Sequence, residues 1–169
     1  MSKAWIGIDP GAKGYICTLL PAKGVAEFIS NSVKPLEIVE WLDDVYGEVP
    51  VQQVVIEDVH SLHGMSAKSN FTFGYNVGIL HGIFNSRGIG LALVTPKVWQ
   101  KEVGIKLPPT KRNGKKIPSA IRTKEIKNSV AAACDRLYPR IEIRGPKGGL
   151  LDGKSDALMI AHYASLIYR

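Results

Sequence analysis

Cysteine and histidine are scarce in this chain of 169 residues, which has two of the first and four of the second. Cys17 and Cys134 stand far apart, and neither has zinc-like spacing with a histidine, so neither a zinc site nor a disulfide framework is expected. The thiols read as small core residues in a reducing compartment. Long hydrophobic runs are also missing, and nothing nears the roughly 20 apolar residues of a membrane span. The opening residues MSKAWIGIDP carry too short an apolar stretch before Asp9 for a secretory signal, so a cytoplasmic address with no membrane partner is expected. Internal repeats and low-complexity tracts are absent. With 45% apolar and 22% charged residues, the expectation is a single globular domain over residues 1–169.

Acidic residues are in deficit. Lys and Arg number 22 against 15 Asp and Glu, a net charge of +7. The excess is local. Lys106, Lys111, Arg112, Lys115, Lys116, Arg122, Lys124 and Lys127 face Glu125 alone, and this one stretch accounts for the whole surplus. A basic block of this kind suits a polyanion, because each cation that meets a phosphate releases condensed counterions. A solvated loop kept basic for solubility explains the charge equally well. Three prolines and Gly114 make residues 106–119 read as a basic loop.

"AWIGID" and "GYICTLL" are β-prone runs separated by "PGAK", and "GVAEFI" follows a turn at Ala22–Gly24, so three strands form an antiparallel meander. From Pro35, apolar residues recur at helical spacing. "VQQVVIED" is a fourth strand, apolar on both faces and so central and parallel to the first. A helix is predicted from about Ser66 to Arg87, with Ser66 or Ser69 as cap and Phe73, Val77, Leu80, His81 and Phe84 on its inner face. "GLALVT" is a fifth strand and "PKVWQKEVG" a short helix. "TKEIKNSVAAACDRLY" is a helix capped by Thr123, and the last helix starts near Gly153. The class is α/β, with a five-stranded mixed sheet, meander first and parallel strands after, flanked by helices.

Acids stand where buried strands finish. Asp9 ends the first strand and Glu57 the fourth. If those strands are parallel neighbours, about 5 Å apart, both carboxylates project at one edge. Asp152 and Asp156, in "LLDGKSDALMIAHYA", lie one turn apart on one helix face, near an N-terminus that favours negative charge. Asp152 alone reads as a cap; Asp156 runs straight into the apolar stripe. Carboxylates gathered at one edge repel unless a cation neutralises them. Hard oxygen donors without Cys or paired His select Mg²⁺ or Mn²⁺. Two such ions activate a water and stabilise the leaving oxygen of a phosphodiester.

"IGIDPGAKG", "VVIED" and "DGKSDALMIAHY", in that order, resemble the RuvC-type Holliday junction resolvases of the RNase H-like superfamily. "SNFTFGYNVGILHG" followed by "VTPKVWQKEVG" is similar to the branch found in bacteriophages and plant organelles. The resemblance covers most of the chain; GIDPG is weak alone, and the ordered acids ending in D-x-x-x-D-A-L are the specific part. It implies an RNase H-like fold, and Asp9, Glu57 and Asp156 as catalytic metal ligands. Asp152 becomes the fourth, at a spacing of four residues where the bacterial enzymes have three. It further implies two Mg²⁺ ions, with Mn²⁺ substituting, and no nucleotide cofactor. The implied enzyme is a homodimer that nicks two strands across a four-way junction, or other branched DNA, in a bacterial host cell if phage-encoded. Two other classes fit parts of the sequence. Actin-like ATPases and sugar kinases also open on a "GIDxG" hairpin but usually need a longer chain, and a non-catalytic binder of branched DNA needs the basic block but not four acids.

Lesser candidates complete the reading. Lys106, Lys111, Arg112, Lys115, Lys116, Arg122 and Lys124 are expected to grip DNA backbone, and Lys154 to contact the scissile phosphate or merely solubilise. Phe71 is suited to stacking on unpaired bases. Ser69 and Asn70 are suited to a phosphate at the helix N-terminus. His60 and His63 follow Glu57 as DNA contacts or incidental loop residues. Gly74, Gly78 and Gly82 make a small-residue stripe for a subunit contact or for packing within the chain. Trp99 is expected to pack its ring while Lys97 and Lys101 face DNA.

Overall fold

A computed structural model of the chain describes residues 3–58 and 66–168, and in residues 46–48 the backbone alone. His60 and His63 therefore lie outside the described residues. The meander is β1 (Ala4–Ile8), β2 (Tyr15–Leu20) and β3 (Val25–Ser30), followed by α1 (Pro35–Glu48), β4 (Val51–Glu57), α2 (Ala67–Ser86) and β5 (Leu91–Val94). Then come α3 (Pro96–Glu102), β6 (Lys111–Arg112), β7 (Lys115–Lys116), α4 (Ser119–Leu137) and α5 (Asp152–Ile167). The main sheet has the order β3-β2-β1-β4-β5, the five-stranded mixed sheet the sequence leads one to expect. β1 is antiparallel to β2 and parallel to β4, and β4 is parallel to β5.

Alternation along the central strands splits the core in two. Ile6, Ile8, Val54 and Ile56 bury one face against α1 and α2. Trp5 and Val55 bury the other against α3, α4 and α5. All five residues of β1 are buried, as a strand covered on both faces requires. α5 presses directly on β1. A Cβ at Gly7 would stand 2.2 Å from the Ala161 nitrogen and 2.3 Å from the Ala157 oxygen. At the other end of the contact, a Cβ on Gly153 would stand 2.3 Å from the Lys13 carbonyl oxygen. Two residues without side chains therefore set how closely the last helix lies over the first strand and its turn. Among the described residues, no helix is long and apolar enough to cross a membrane.

Several boundaries differ from expectation for local reasons. α4 begins at Ser119, directly after Pro118, so Thr123 lies inside the helix and caps nothing. The cap of α2 is Ser66, whose Oγ accepts from the Ser69 amide at 3.2 Å. The inner face of α2 is Leu80, Ile83 and Phe84, while Phe73 is only half-buried. The basic segment 106–119 is more than a loop. β6 and β7 pair Lys111 with Lys116 and Arg112 with Lys115 across a turn at Asn113–Gly114, both with positive φ (51° and 74°).

Candidate active site at the strand ends

The register carries both strand-end acids to one place. Ile8 pairs with Ile56, so one step further along each chain sets Asp9 level with Glu57. Alternation sends both side chains to the α5 face, where Trp5 and Val55 point. The geometry of Asp9 is over-determined. Its amide donates to the Tyr15 carbonyl at 3.1 Å, and the Gly11 amide donates to its Oδ1 at 2.9 Å. Asn31, just past β3, donates from Nδ2 to the Asp9 carbonyl, and to the Gly11 carbonyl at 3.4 Å. Gly14 lies against the same turn. Its missing side chain leaves room for the Asp9 carbonyl, 2.0 Å from where a Cβ would be.

Among the described residues, Glu57 has one side-chain hydrogen-bond partner. The indole Nε1 of Trp99, fully buried in α3, donates to its Oε1 at 2.8 Å. Burial nonetheless pushes the Glu57 carboxyl up to about 7, the Trp99 bond opposing and Asp9 adding to the rise. Asp9 is raised chiefly by burial, with the Gly11 amide opposing and Asp152 adding to it. Asp156, in the second turn of α5, is raised well above the usual carboxylate range, again first by burial and then by Asp9, Glu57 and Asp152. Each of the four carboxylates therefore lies within electrostatic reach of at least one of the others.

Asp152 occupies the first turn of α5, yet the cap position is Leu151 and no side chain caps the helix. Its carboxylate is free of capping duty and forms an ion pair with the Lys127 ammonium, about two-fifths exposed on each side. Lys127 projects from α4 and is also drawn by Asp156 and Asp9. Its pKa rises, first through the Asp152 hydrogen bond. Among the described residues, no three acids, histidines or cysteines already converge on one metal position. The donor set still fits a hard divalent cation, being all carboxylate oxygen in a place where burial first, and the neighbouring acids second, raise Asp9, Glu57 and Asp156.

The remaining candidates lie apart from this cluster. Lys106, Lys111, Arg112, Lys115, Lys116 and Lys124 are exposed, and Arg112 pairs with Glu125 at 3.1 Å. Arg122 is half-buried and donates from Nε to the Pro108 carbonyl at 3.3 Å. The Lys154 ammonium sits 5.0 Å from the centre of the Phe28 ring and 5.6 Å from that of Tyr15, a cation–π arrangement over β2 and β3. Phe71 is 75% exposed and stacks on Tyr75, also exposed, with ring centres 6.4 Å apart. Ser69 has its amide engaged by the cap, and the Asn70 amide donates to the Ser66 carbonyl, so neither amide is open to a phosphate. Nothing lies within 4 Å of a Cβ built on Gly74, Gly78 or Gly82, so the stripe packs against no part of this chain that is described.

Three participants are not evident as such from the sequence. Trp99 reads there as packing alone, Lys127 as one charge among eight, and Asn31 as nothing in particular. Lys127 did leave a signal. It stands three, four and seven residues before Val130, Ala131 and Cys134, the buried stripe of α4, so it extends that stripe with a charge.

No protein-family model matches the chain, and no curated protein matches it either. Solved structures do. T. thermophilus RuvC in complex with Holliday junction substrate superimposes with a TM-score of 0.59 at 15% identity, over 99% of this chain and 96% of that one. The chain has a RuvC-like fold. A second Thermus thermophilus RuvC structure agrees, with a TM-score of 0.53 at 17% identity and the same coverage of both chains. The RuvC-like sheet is the RNase H-like arrangement expected from the ordered acids.

Proposed function

We propose that this protein is a Mg²⁺-dependent, structure-selective endodeoxyribonuclease that resolves Holliday junctions and other branched DNA by paired nicking. The observation that carries the reading is the gathering of Asp9, Glu57, Asp152 and Asp156, each within electrostatic reach of another, at the sheet edge of a RuvC-like fold. These four are the ligands for two Mg²⁺ ions, with Mn²⁺ substituting. When bound, the ions supply an activated water and neutralise charge at the leaving oxygen of the phosphodiester. The chain's own residues prepare the site. Asn31 and the Gly11 amide fix Asp9, the Trp99 indole aims one oxygen of Glu57, and Lys127 offsets part of the negative charge that would repel a phosphate.

The exposed cations support binding of backbone without sequence readout. In the β6–β7 hairpin, like charges stand directly opposite in both pairs, a destabilising arrangement that a polyanion relieves. Lys106, Arg122, Lys124 and Lys154 extend the surface, and Phe71 is the residue for an unpaired base at the crossover. The uncovered Gly74, Gly78 and Gly82 face of α2 supports a homodimer, which paired nicking needs. "SNFTFGYNVGILHG" keeps the bacteriophage and organellar branch as the kinship we favour, with a cytoplasmic site of action.

The test is cleavage of four-way, three-way, flap and linear duplex substrates with and without Mg²⁺. Metal-dependent, symmetrical nicking of the four-way junction in preference to linear duplex is expected. Tight binding of branched DNA with no cleavage under any divalent metal would instead make the protein a non-catalytic junction binder.

A further inference from the structure

Beside the carboxylates lies a groove of about 380 Å³. Lys13 of the β1–β2 turn, Tyr15 of β2, Ser30 and Ser32 at the end of β3, and Asp152 and Gly153 of α5 line it. Tyr15 and Ser30 stand directly opposite across β2 and β3, so both project to one face of the sheet, the face that α5 covers. Gly153 lets α5 start on the Lys13 carbonyl, which makes the turn and the helix adjoining walls. No residue of α4 or of the β6–β7 hairpin lines the groove, so it is separate from the basic block. Asp152 joins the two regions, since its carboxylate meets Lys127 of α4 while the residue itself lines the groove.

The groove offers positive charge and a donor that the chain leaves uncommitted. Lys154 stands two residues from Asp152 and two from Asp156, about 200° around the helix from each. It forms no ion pair with either. Its ammonium lies instead over Tyr15 and Phe28, whose rings meet edge to face with centres 6.5 Å apart. Such rings orient an ammonium but leave its net charge uncancelled. Lys13 is exposed and pairs with no acid among the described residues. The Oγ atoms of Ser30 and Ser32 are bonded at 2.8 Å, and whichever donates, one hydroxyl hydrogen remains for an acceptor outside the pair.

We propose that this groove holds the phosphate next to the scissile one, so that the cut strand crosses the acids and leaves between Lys13, Lys154 and the Ser30–Ser32 pair. The proposal rests on the nuclease reading given above. Uncancelled cations and a spare donor select an anion, and the shared residue Asp152 places that anion along the strand whose phosphate meets the acids. The groove does a different task from the hairpin, whose exposed cations grip backbone at any register. A cation held by two rings beside a catalytic acid has one place, so the groove sets which phosphodiester lies over the carboxylates.

The test replaces single phosphates flanking the branch point of a four-way junction, one at a time, by neutral methylphosphonates. Binding by the full chain is measured without divalent metal, and the bond cut is located separately on the unmodified junction in Mg²⁺. Wild type is expected to lose about tenfold in affinity, equivalent to about 1.4 kcal/mol, at one phosphate adjoining that bond. The double variant Lys13→Met, Lys154→Met should bind the unmodified junction about tenfold more weakly and be indifferent to that one replacement. Lys13→Met alone, on an exposed turn, should show part of the same effect, and thermal unfolding of both variants is measured alongside. Lys111→Ala, Lys116→Ala should weaken binding yet keep the full sensitivity at that phosphate. In Mg²⁺, the Lys13, Lys154 double variant should spread its nicks over neighbouring bonds. Wild-type binding that no flanking replacement weakens, or a loss equal in wild type and the double variant, would overturn the groove assignment while leaving the nuclease reading intact. Absence of any cleavage by wild type in Mg²⁺ would overturn both.

Discussion

Glu57 shows how far burial moves a single side chain from its solution behaviour, with Asp9 adding to the rise. Its carboxyl titrates at about 7 in the ion-free protein, against an ordinary value of 4.5. A carboxyl whose folded pKa is raised favours folding in its protonated form, so its contribution is greatest below about pH 4.5 and is lost as pH rises through about 7. Glu57→Gln should therefore flatten that fall and make the ion-free protein more stable at about pH 8, by of order 3 kcal/mol in urea unfolding. Added Mg²⁺ should stabilise the wild type and do less for the variant. Trp99→Phe keeps one aromatic ring but removes the donor to Glu57 together with some buried volume. Losing a hydrogen bond to a charged group costs about 1.5–3 kcal/mol, and a Mg²⁺ titration of stability should show weaker binding. The acids themselves were legible because each interrupts an apolar pattern. Trp99 was not, because a tryptophan at a core position looks the same whether or not its N–H has a task. Lys127 was half-legible, as a charge set on a buried stripe.

At the scale of elements, the contact between α5 and β1 decides whether the site exists at all. Gly7 and Gly153 carry no catalytic group, yet a methyl at Gly7 would overlap the backbone of α5. Gly7→Ala should displace the helix that bears Asp152 and Asp156. Overpacking typically costs about 1–3 kcal/mol, so both a lower melting temperature and a large fall in cleavage are expected, with no carboxylate touched. Strand order and the meander followed from period and turn residues. The hairpin β6–β7 did not, because two-residue strands carry no periodicity and only Asn113–Gly114 marked the turn. The cap of Asp152 was misplaced for a related reason: an acid at a helix start usually bonds the backbone, whereas here an ammonium from another helix takes it. On the proposed reading, the hairpin's cations act on affinity. The double variant Lys111→Ala, Lys116→Ala should lower the salt dependence of junction binding by about 1.8 in log–log slope, if each meets one phosphate. The position of the nick should not change.

For the whole molecule, the two faces of one sheet carry different features. The α5 face holds the acids and the groove beside them, and the α1 and α2 face holds the exposed Phe71 and Tyr75. The ordered acids and alternating elements made the fold legible at this scale, and the 15% identity to T. thermophilus RuvC in complex with Holliday junction substrate shows how little else two chains of this fold share. Asn31 was beyond reach, since its importance comes from where β3 returns beside β1 and from no local pattern. The most direct test of the account is to compare wild type with Asp9→Asn on a labelled four-way junction in Mg²⁺, reading binding and strand cleavage in the same samples. Paired nicks by wild type and undetectable cleavage by the variant, with affinity within about twofold, are predicted. An Asp9→Asn protein that binds the junction and cuts it at the wild-type rate would contradict the central claim.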